Sequence, residues 1–342
     1  MESRRLLQGS AERDPATMTD RDEPRQEFRQ RPPWLGADLQ TLRNFLLGPA
    51  PDLPGGETLL LPVRDGDRLA ARLDRPGAGA PMPLIVLIHG LTGSQYSETV
   101  VAATRYFVAQ GRPVLRLNLC GATPSRPTAR GFYHAGKTRD LADALQSIPA
   151  PLKTNGLILV GHSLGGNLVL KFLGEGGRDA PVLAGVAVSP PLDLAATCRQ
   201  MMTPRNYLYH RHILNGLKTE ALAPNADLSG AERARIASAR SIFEFDDGFI
   251  APRFGYRDAG DYYAQNASGG FLSAIRVPTL IVYAKDDPWI PASCYRQVDW
   301  RKMSAITPLL TDKGGHLGFH DVASVIPWHD RKIVDWLKAQ GL

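Results

Sequence analysis

The chain has 342 residues, 43% of them hydrophobic, and a formal net charge of +6. This length and apolar fraction allow a large core in a single α/β domain. Lys and Arg are scattered with no basic run of five or more, so no nucleic-acid interface is indicated. The three cysteines are odd in number and far apart, which indicates free thiols in a reducing compartment and not a disulfide scaffold.

Residues 1–30 are rich in Arg, Glu, Asp and Gln and poor in apolar side chains, which predicts a solvated, flexible tail. This segment lacks the apolar core of a secretory signal, and no stretch of the chain approaches the ~20 apolar residues of a membrane span. We therefore expect a cytoplasmic protein without a transmembrane segment. From Pro32-Pro33-Trp34-Leu35 onwards the sequence is typical of a packed segment and no longer of a polar tail. Residues 31–342 are therefore predicted to form a single domain.

Eight strand candidates follow along the chain, at residues 57–63, 68–73, 83–88, 113–119, 157–160, 184–188, 279–283 and 306–310. The first two flank Arg64-Asp65-Gly66-Asp67, a turn typical of a hairpin. Helical patterns such as 96–110 and 138–148 lie between most of the others. This alternation predicts an eight-stranded, mostly parallel sheet with helices on both faces.

The interval between the sixth and seventh strand candidates breaks this rhythm. Residues 192–274 contain helical patterns and many aromatic side chains but no convincing strand. An insertion at this point lies over the carboxyl edge of the sheet, where α/β active sites form. We predict a helical cap that shapes the substrate pocket, and a peripheral helical decoration is the alternative.

Gly161-His162-Ser163-Leu164-Gly165 is the most informative motif, because it lies where a short apolar strand turns into a helix. A turn this sharp leaves no room for Cβ atoms on either side of the serine, which explains the glycines. The pattern is that of the nucleophile elbow of serine hydrolases, which exposes the hydroxyl at a helix N-terminus. It predicts Ser163 as a nucleophile and the α/β-hydrolase fold as the fold class.

A serine hydroxyl is a weak nucleophile until a base removes its proton, and the base needs an orienting carboxylate. In this fold class the acid and then the histidine follow the serine along the chain. His316 lies in a glycine-rich loop beyond the last predicted strand, from which it can reach back to the elbow. We predict His316 as the base, with His320 of the same segment as a weaker candidate.

The loop after the seventh strand offers two adjacent carboxylates, Asp286 and Asp287. In hydrolases of this fold the acid commonly stands four residues before a proline that follows the strand. Pro291 therefore selects Asp287, and Asp286 becomes a neighbour that bonds to the backbone. Asp193, just after the sixth strand, is the alternative position for the acid.

The oxyanion of a tetrahedral intermediate needs backbone N–H donors, usually two. Leu164, directly after the nucleophile, is one predicted donor. Leu91, in the loop His89-Gly90-Leu91-Thr92-Gly93 after the third strand, is the other. No CxxC or HExxH spacing occurs, so neither a metal site nor a cofactor is expected.

Short strings along the chain carry a family resemblance: Pro32-Pro33-Trp34-Leu35, Leu39-Gln40-Thr41-Leu42, His89-Gly90-Leu91-Thr92-Gly93-Ser94, Tyr133-His134-Ala135-Gly136, Gly161-His162-Ser163-Leu164-Gly165-Gly166-Asn167, Phe245-Asp246-Asp247, Asp261-Tyr262-Tyr263, Ala284-Lys285-Asp286-Asp287-Pro288 and Gly315-His316-Leu317-Gly318-Phe319. From about residue 31 to its end the chain resembles the YheT-like α/β-hydrolases, a family of predicted esterases with lipid-active eukaryotic relatives. The resemblance implies Ser163, Asp287 and His316 as the catalytic triad. The family usually carries a histidine shortly before Leu-Gln-Thr, where this chain has Asp38, so no role for that histidine is carried over.

We therefore expect a serine esterase that cleaves carboxylic esters, acyl or lipid-like, through an acyl-enzyme. The aromatic side chains of residues 207–263 favour an acyl chain over a sugar or a peptide. An acyltransferase with the same triad and a non-catalytic binding protein are the alternatives. The basic amphipathic stretch 199–218 is compatible with weak contact with a membrane surface, although a solvated cap face is the favoured interpretation.

Overall fold

The computed structural model describes residues 28–48, 51–77, 81–177 and 180–342. The tail predicted for residues 1–30 therefore lies, as far as residue 27, outside the described residues. The eight predicted strands form, each within two residues of its expected bounds: β1 Glu57–Pro62, β2 Arg68–Asp74, β3 Leu84–Ile88, β4 Val114–Leu117, β5 Leu157–His162, β6 Val182–Val188, β7 Thr279–Ala284 and β8 Ile306–Thr311.

The strands build one sheet in the order β1-β2-β4-β3-β5-β6-β7-β8. Strand β2 is antiparallel to both β1 and β4, and all the other pairs are parallel. Every residue of β3, β5 and β7 is buried, as expected for parallel strands covered on both faces. The predicted α/β-hydrolase sheet is confirmed.

Helices cover both faces of the sheet, and their bounds are α1 Ala37–Leu47, α2 Glu98–Ala109, α3 Thr138–Ser147, α4 Ala150–Lys153, α5 Leu164–Gly174, α6 Leu194–Met201, α7 Tyr207–Ala221, α8 Gly230–Ser238, α9 Ile242–Phe245, α10 Ala251–Arg253, α11 Ala259–Asn266, α12 Ser293–Arg296 and α13 Trp328–Ala339. Apolar residues of α2 and α13 pack with one set of sheet side chains, which includes Ile85 and Leu87. Those of α3 and α5 pack with the alternate set, which includes Val86 and Ile88. This division follows from the period of two along a strand.

Only helices and turns lie between β6 and β7, in a segment that the structure describes throughout. We call residues 194–266, which comprise α6–α11 and the π-helical segment Asp246–Ile250, the cap helices. Their buried side chains, such as Leu217 and Phe249, belong to the same cluster as the core residues of α5. The helices therefore pack onto the sheet domain, while the division of the chain into a tail, one domain and an inserted cap stays a prediction.

Candidate active site

The elbow at Ser163 is a strained turn between β5, which ends at His162, and α5, which begins at Leu164. Ser163 has φ 51° and ψ −116°, a left-handed region that residues with a Cβ rarely occupy. A Cβ on Gly161 would overlap the carbonyl of Gly165, and one on Gly165 would lie 2.5 Å from the carbonyl oxygen of Ile88. The two glycines therefore allow the helix to start directly against the strands.

Three predicted side chains meet at this elbow. His316 Nε2 lies 3.0 Å from Ser163 Oγ, and His316 Nδ1 lies 2.7 Å from Asp287 Oδ2. Asp287 is 6% exposed and His316 is 3% exposed, so bulk water does not compete for their contact. The structure thus places a hydroxyl, an imidazole and a carboxylate in one hydrogen-bonded chain.

The two adjacent carboxylates of the loop after β7 have different partners. Asp287 Oδ1 accepts the N–H groups of Trp289 and Ile290 at 2.8 and 3.0 Å, which leaves its other oxygen for His316. Asp286 Oδ1 accepts the N–H of Gly315 at 2.8 Å, so it supports the backbone of the histidine loop. Burial raises the pKa of Asp286.

Asp193, the alternative candidate for the acid, and His320, the alternative candidate for the base, make structural contacts instead. Asp193 Oδ1 accepts the N–H of Ala196 at 2.8 Å and caps α6. The backbone N–H of His320 donates to Gln40 Oε1, and burial lowers the pKa of its ring to about 3. Neither side chain belongs to the hydrogen-bonded chain that contains Ser163.

Helix α1 holds the histidine loop from the other side. The buried Gln40 donates its amide to the carbonyl oxygens of Trp34 and His320, at 2.6 and 3.1 Å, and accepts the N–H of His320 at 2.6 Å. The N–H of His316 donates to Thr41 Oγ1 at 2.9 Å. Sequence reasoning noted Gln40 and Thr41 only as part of a motif, because nothing local connects them to a loop some 275 residues away.

Trp289 is a further residue that sequence reasoning missed. Its ring stacks on the His316 imidazole, with centroids 4.2 Å apart and planes at 28°. Stacking restricts rotation of the imidazole about its Cβ–Cγ bond, so it helps to keep Nε2 directed at Ser163. The only signal in the sequence is the position of Trp289 two residues after Asp287.

The predicted oxyanion donors, Leu91 and Leu164, flank Ser163. Among the described residues, neither leucine N–H donates to a backbone acceptor outside the hydrogen bonds internal to helices and strands. A Cβ on Gly90 would lie 3.2 Å from Ser163 Cβ, so the loop after β3 reaches the nucleophile closely. Leu164 is also the first residue of α5, where the helix dipole favours a negative charge.

His89 supports this loop. Its Nδ1 lies 2.7 Å from the carbonyl oxygen of Gly90, and its Nε2 accepts the N–H of Leu119 at 3.1 Å. The ring can satisfy both contacts only as the neutral tautomer with the proton on Nδ1. Burial lowers the pKa of His89 to about 4, which keeps this tautomer at neutral pH.

A cavity of about 830 Å³ opens onto Ser163 and His316. Both predicted oxyanion donors line it, together with apolar side chains of the cap helices: Leu194, Met201, Leu208, Ile213, Leu217, Phe245, Phe249 and Ile250. A few polar groups, among them Tyr133, Glu220 and Asp246, interrupt this apolar wall. The cap helices therefore form part of a largely apolar pocket at the triad, within the usual size range for small-molecule sites.

One buried group of side chains has the composition of a metal-binding set. Donor atoms of His162, His329 and Asp330 all lie within 4.8 Å of one another. Burial lowers the pKa values of both histidines and raises that of Asp330, so their uncharged forms are favoured. None of the three lines the cavity that opens onto Ser163.

Comparisons with known proteins agree with this architecture. The family model of the alpha/beta hydrolase fold matches residues 83–322. The Pyrococcus furiosus esterase Pf2001 superimposes with a TM-score of 0.55 at 16% identity, over 85% of this chain and 96% of that chain, a likeness that shows the fold. The chain belongs to the α/β-hydrolase fold family.

Sequence relatives identify the group within this family to which the chain belongs. It is 35% identical over 293 residues to the Escherichia coli (strain K12) protein named "Putative esterase YheT", covering 81% of this chain and 83% of that protein. This confirms the predicted resemblance, and the chain belongs to the YheT-like group. It is also 29% identical to the Saccharomyces cerevisiae "Medium-chain fatty acid ethyl ester synthase/esterase 2", over 70% of this chain and 58% of that protein.

The described residues contain no helix that is long and apolar enough to cross a membrane.

Replacement of Gln40 by Ala should destabilise the protein. It leaves the buried N–H of His320 without its acceptor and removes one of the two donors to the His320 carbonyl oxygen, the other being the N–H of Arg31. A buried unsatisfied group costs about 1–3 kcal/mol. We expect the free energy of unfolding in urea to fall by about 2 kcal/mol or more. Gln146→Ala on α3, where the side chain is exposed, is the matched control. Equal effects of the two substitutions would contradict this interpretation of Gln40.

Proposed function

We propose that this protein is a serine hydrolase that cleaves carboxylic esters through an acyl-enzyme on Ser163. The observation that carries the proposal is the hydrogen-bonded chain from Ser163 Oγ through His316 to Asp287, at 3.0 and 2.7 Å. The fold and the names of the esterase relatives support a carboxylic ester hydrolase. The chemical steps follow from the positions of these groups.

In the first step, His316 Nε2 takes the proton of Ser163 as Oγ bonds to the carbonyl carbon of the ester. The electron pair of the C=O bond moves to its oxygen, which accepts the N–H groups of Leu91 and Leu164. Asp287 accepts the Nδ1–H of His316 and stabilises the imidazolium. The intermediate collapses when the C–O bond to the alcohol breaks and His316 gives its proton to the departing oxygen.

In the second step, water replaces the alcohol. His316 removes a proton from the water as the water oxygen attacks the acyl carbon. The N–H groups of Leu91 and Leu164 bind the new oxyanion. Breaking the bond to Ser163 Oγ releases the carboxylic acid, and the proton on His316 returns to the serine. The reaction consumes one ester and one water and yields one acid and one alcohol.

The cavity favours substrates with an apolar acyl part. Its wall from the cap helices is mostly aliphatic and aromatic, and its volume of about 830 Å³ exceeds what a small acetate ester needs. Burial of each acyl CH₂ contributes about 0.8 kcal/mol. Fatty acyl esters are therefore the proposed substrate class, in agreement with the name of the yeast relative.

Exposed apolar side chains surround part of the cavity wall. Phe45 of α1 is 64% exposed and Leu208 of α7 is 77% exposed, and both line the cavity. Within the basic stretch 199–218, Tyr207 and Arg211 are also exposed, whereas His210 and Leu214 are buried. These side chains support weak contact with a membrane surface, which stays a prediction.

Acyl transfer is the second candidate function. The name of the yeast relative includes both a synthase and an esterase of ethyl esters. Transfer uses the same acyl-enzyme, with an alcohol oxygen in place of water, and the apolar cavity lowers the local concentration of water.

Loss of the triad side chains should abolish ester cleavage. Ser163→Ala should lower kcat by roughly 10⁴-fold or more and prevent labelling by a fluorophosphonate probe, because no other group supplies the nucleophile. His316→Ala and Asp287→Asn should also lower kcat strongly. Ser238→Ala, which removes an exposed hydroxyl in the cap, is the matched control. Labelling of folded Ser163→Ala at the wild-type rate would overturn the proposal.

The acyl preference can be measured with p-nitrophenyl esters of increasing chain length. We expect kcat/KM to rise from acetate towards medium chains, since each added CH₂ is buried against the cap helices. Leu217→Glu, which places a carboxylate in the buried cavity wall, should reduce this rise more than the acetate rate. Activity confined to acetate would contradict the proposed substrate class.

Product analysis separates hydrolysis from transfer. With a medium-chain ester and added ethanol, a hydrolase yields mainly the free acid, whereas a transferase yields the ethyl ester. We expect free acid as the main product at low ethanol and an increasing share of ethyl ester as ethanol rises. A main product of ethyl ester even at low ethanol would assign acyl transfer as the principal reaction.

A further inference from the structure

The oxyanion loop, residues 89–93, is held by three hydrogen bonds, two within the loop and one to Tyr133. The Gly90 carbonyl, in the peptide group that carries the Leu91 N–H, accepts from Gly93 N at 3.1 Å and lies 2.7 Å from His89 Nδ1. The next peptide group donates the N–H of Thr92 to the hydroxyl of Tyr133 at 2.8 Å. Both peptide groups that flank the Leu91 Cα are therefore held.

The Tyr133 hydroxyl is itself oriented by a cap helix. It donates to Glu220 Oε2 at 2.8 Å, and Glu220 lies in the last turn of α7. A hydroxyl has one proton, so donation to Glu220 leaves the oxygen lone pairs of Tyr133 for the Thr92 N–H. The two hydrogen bonds therefore run in the same direction: the Thr92 N–H donates to Tyr133, and Tyr133 donates to Glu220.

The backbone at this point needs such support. Thr92 has φ 55°, a left-handed conformation that is strained for a β-branched residue. Helix α7 also touches Thr92 directly, because a Cβ added to Gly216 would lie 2.8 Å from Thr92 Cγ2. Glycine at position 216 lets α7 lie against the oxyanion loop, within reach of the Tyr133–Glu220 pair.

We propose that Tyr133 and Glu220 are positioning residues that hold the Leu91 N–H in place for the oxyanion and so couple the cap to catalysis. This inference rests on the proposed function, in which Leu91 is an oxyanion donor. Neither side chain acts on the substrate in this role. Their effect is on the rate of the chemical step, because the oxyanion forms only there.

The protonation of Glu220 adds a measurable signature. Burial raises the pKa of Glu220 to about 7, while its hydrogen bond with Tyr133 and the nearby Arg126 guanidinium act in the opposite direction. Tyr133 and Arg126 are the charged or titratable groups that face Glu220 in the described part of the chain. As pH falls below about 7, Glu220 gains a proton and no longer dictates that Tyr133 donates to it.

The test compares kcat, KM and pH profiles of Tyr133→Phe, Glu220→Ala and Glu220→Gln with the wild type. We expect Tyr133→Phe and Glu220→Ala to lower kcat about tenfold with little change in KM, less than removal of an oxyanion donor costs. Glu220→Gln should retain most of kcat, since its amide oxygen still accepts from Tyr133. In Glu220→Gln, the part of the decrease in kcat at low pH that comes from protonation of Glu220 should also disappear.

Two comparisons make the result decisive. Tyr256→Phe removes another tyrosine hydroxyl, one that donates to Asn266 in the cap at 3.3 Å, and should leave kcat unchanged. The double variant Tyr133→Phe/Glu220→Ala should lose no more activity than Tyr133→Phe alone, because the two residues act as one chain. Wild-type kcat in Tyr133→Phe, or additive losses in the double variant, would overturn the inference.

Failure of this inference is distinguishable from failure of the proposed function. If Ser163→Ala is inactive while Tyr133→Phe keeps wild-type kcat, the triad stands and the positioning role falls. If Ser163→Ala keeps its activity, the proposed function falls with the inference. Circular dichroism and thermal unfolding of each variant verify that a loss of kcat comes from a folded protein.

Discussion

The close approach of β5 and α5 at Ser163 is the constraint on which the site depends. The helix can begin one residue after the serine only because Gly161 and Gly165 leave space for each other and for the carbonyl of Ile88. The strained φ of 51° then points the hydroxyl away from the sheet and places the Leu164 N–H beside it. The remaining groups are brought to this fixed point by other segments of the chain.

Those segments are held by hydrogen bonds to their backbones. The histidine loop is bound on one side by Gln40 and Thr41 of α1 and on the other by Asp286. The oxyanion loop is bound by His89 and Tyr133. Because the side chains of Ser163, His316 and Asp287 must meet within a few tenths of an ångström, these contacts to the backbone help to set their positions.

Burial separates the roles of the ionisable groups. Asp287 and His316 are buried together and satisfy each other, so the carboxylate is available to stabilise an imidazolium. His89 and His162 are buried without a carboxylate partner, and burial lowers their pKa values, so they remain neutral and serve packing or backbone contacts. The eight histidines of the chain are thus distinguished by their surroundings and not by residue type.

Much of this protein follows from local patterns. The alternation of apolar runs and helical patterns predicts all eight strands. For β3, β5 and β7 the physical reason is that burial on both faces of a parallel sheet demands continuous apolar residues. The elbow motif and the order of serine, acid and histidine single out the three side chains that meet in the structure. Only the tertiary structure decides that Gln40 and Thr41 clamp the histidine loop, that Trp289 stacks on His316, and that α7 reaches the oxyanion loop through Glu220. These contacts join residues far apart in the chain, and their formation depends on how helices pack on the sheet, which no local pattern encodes.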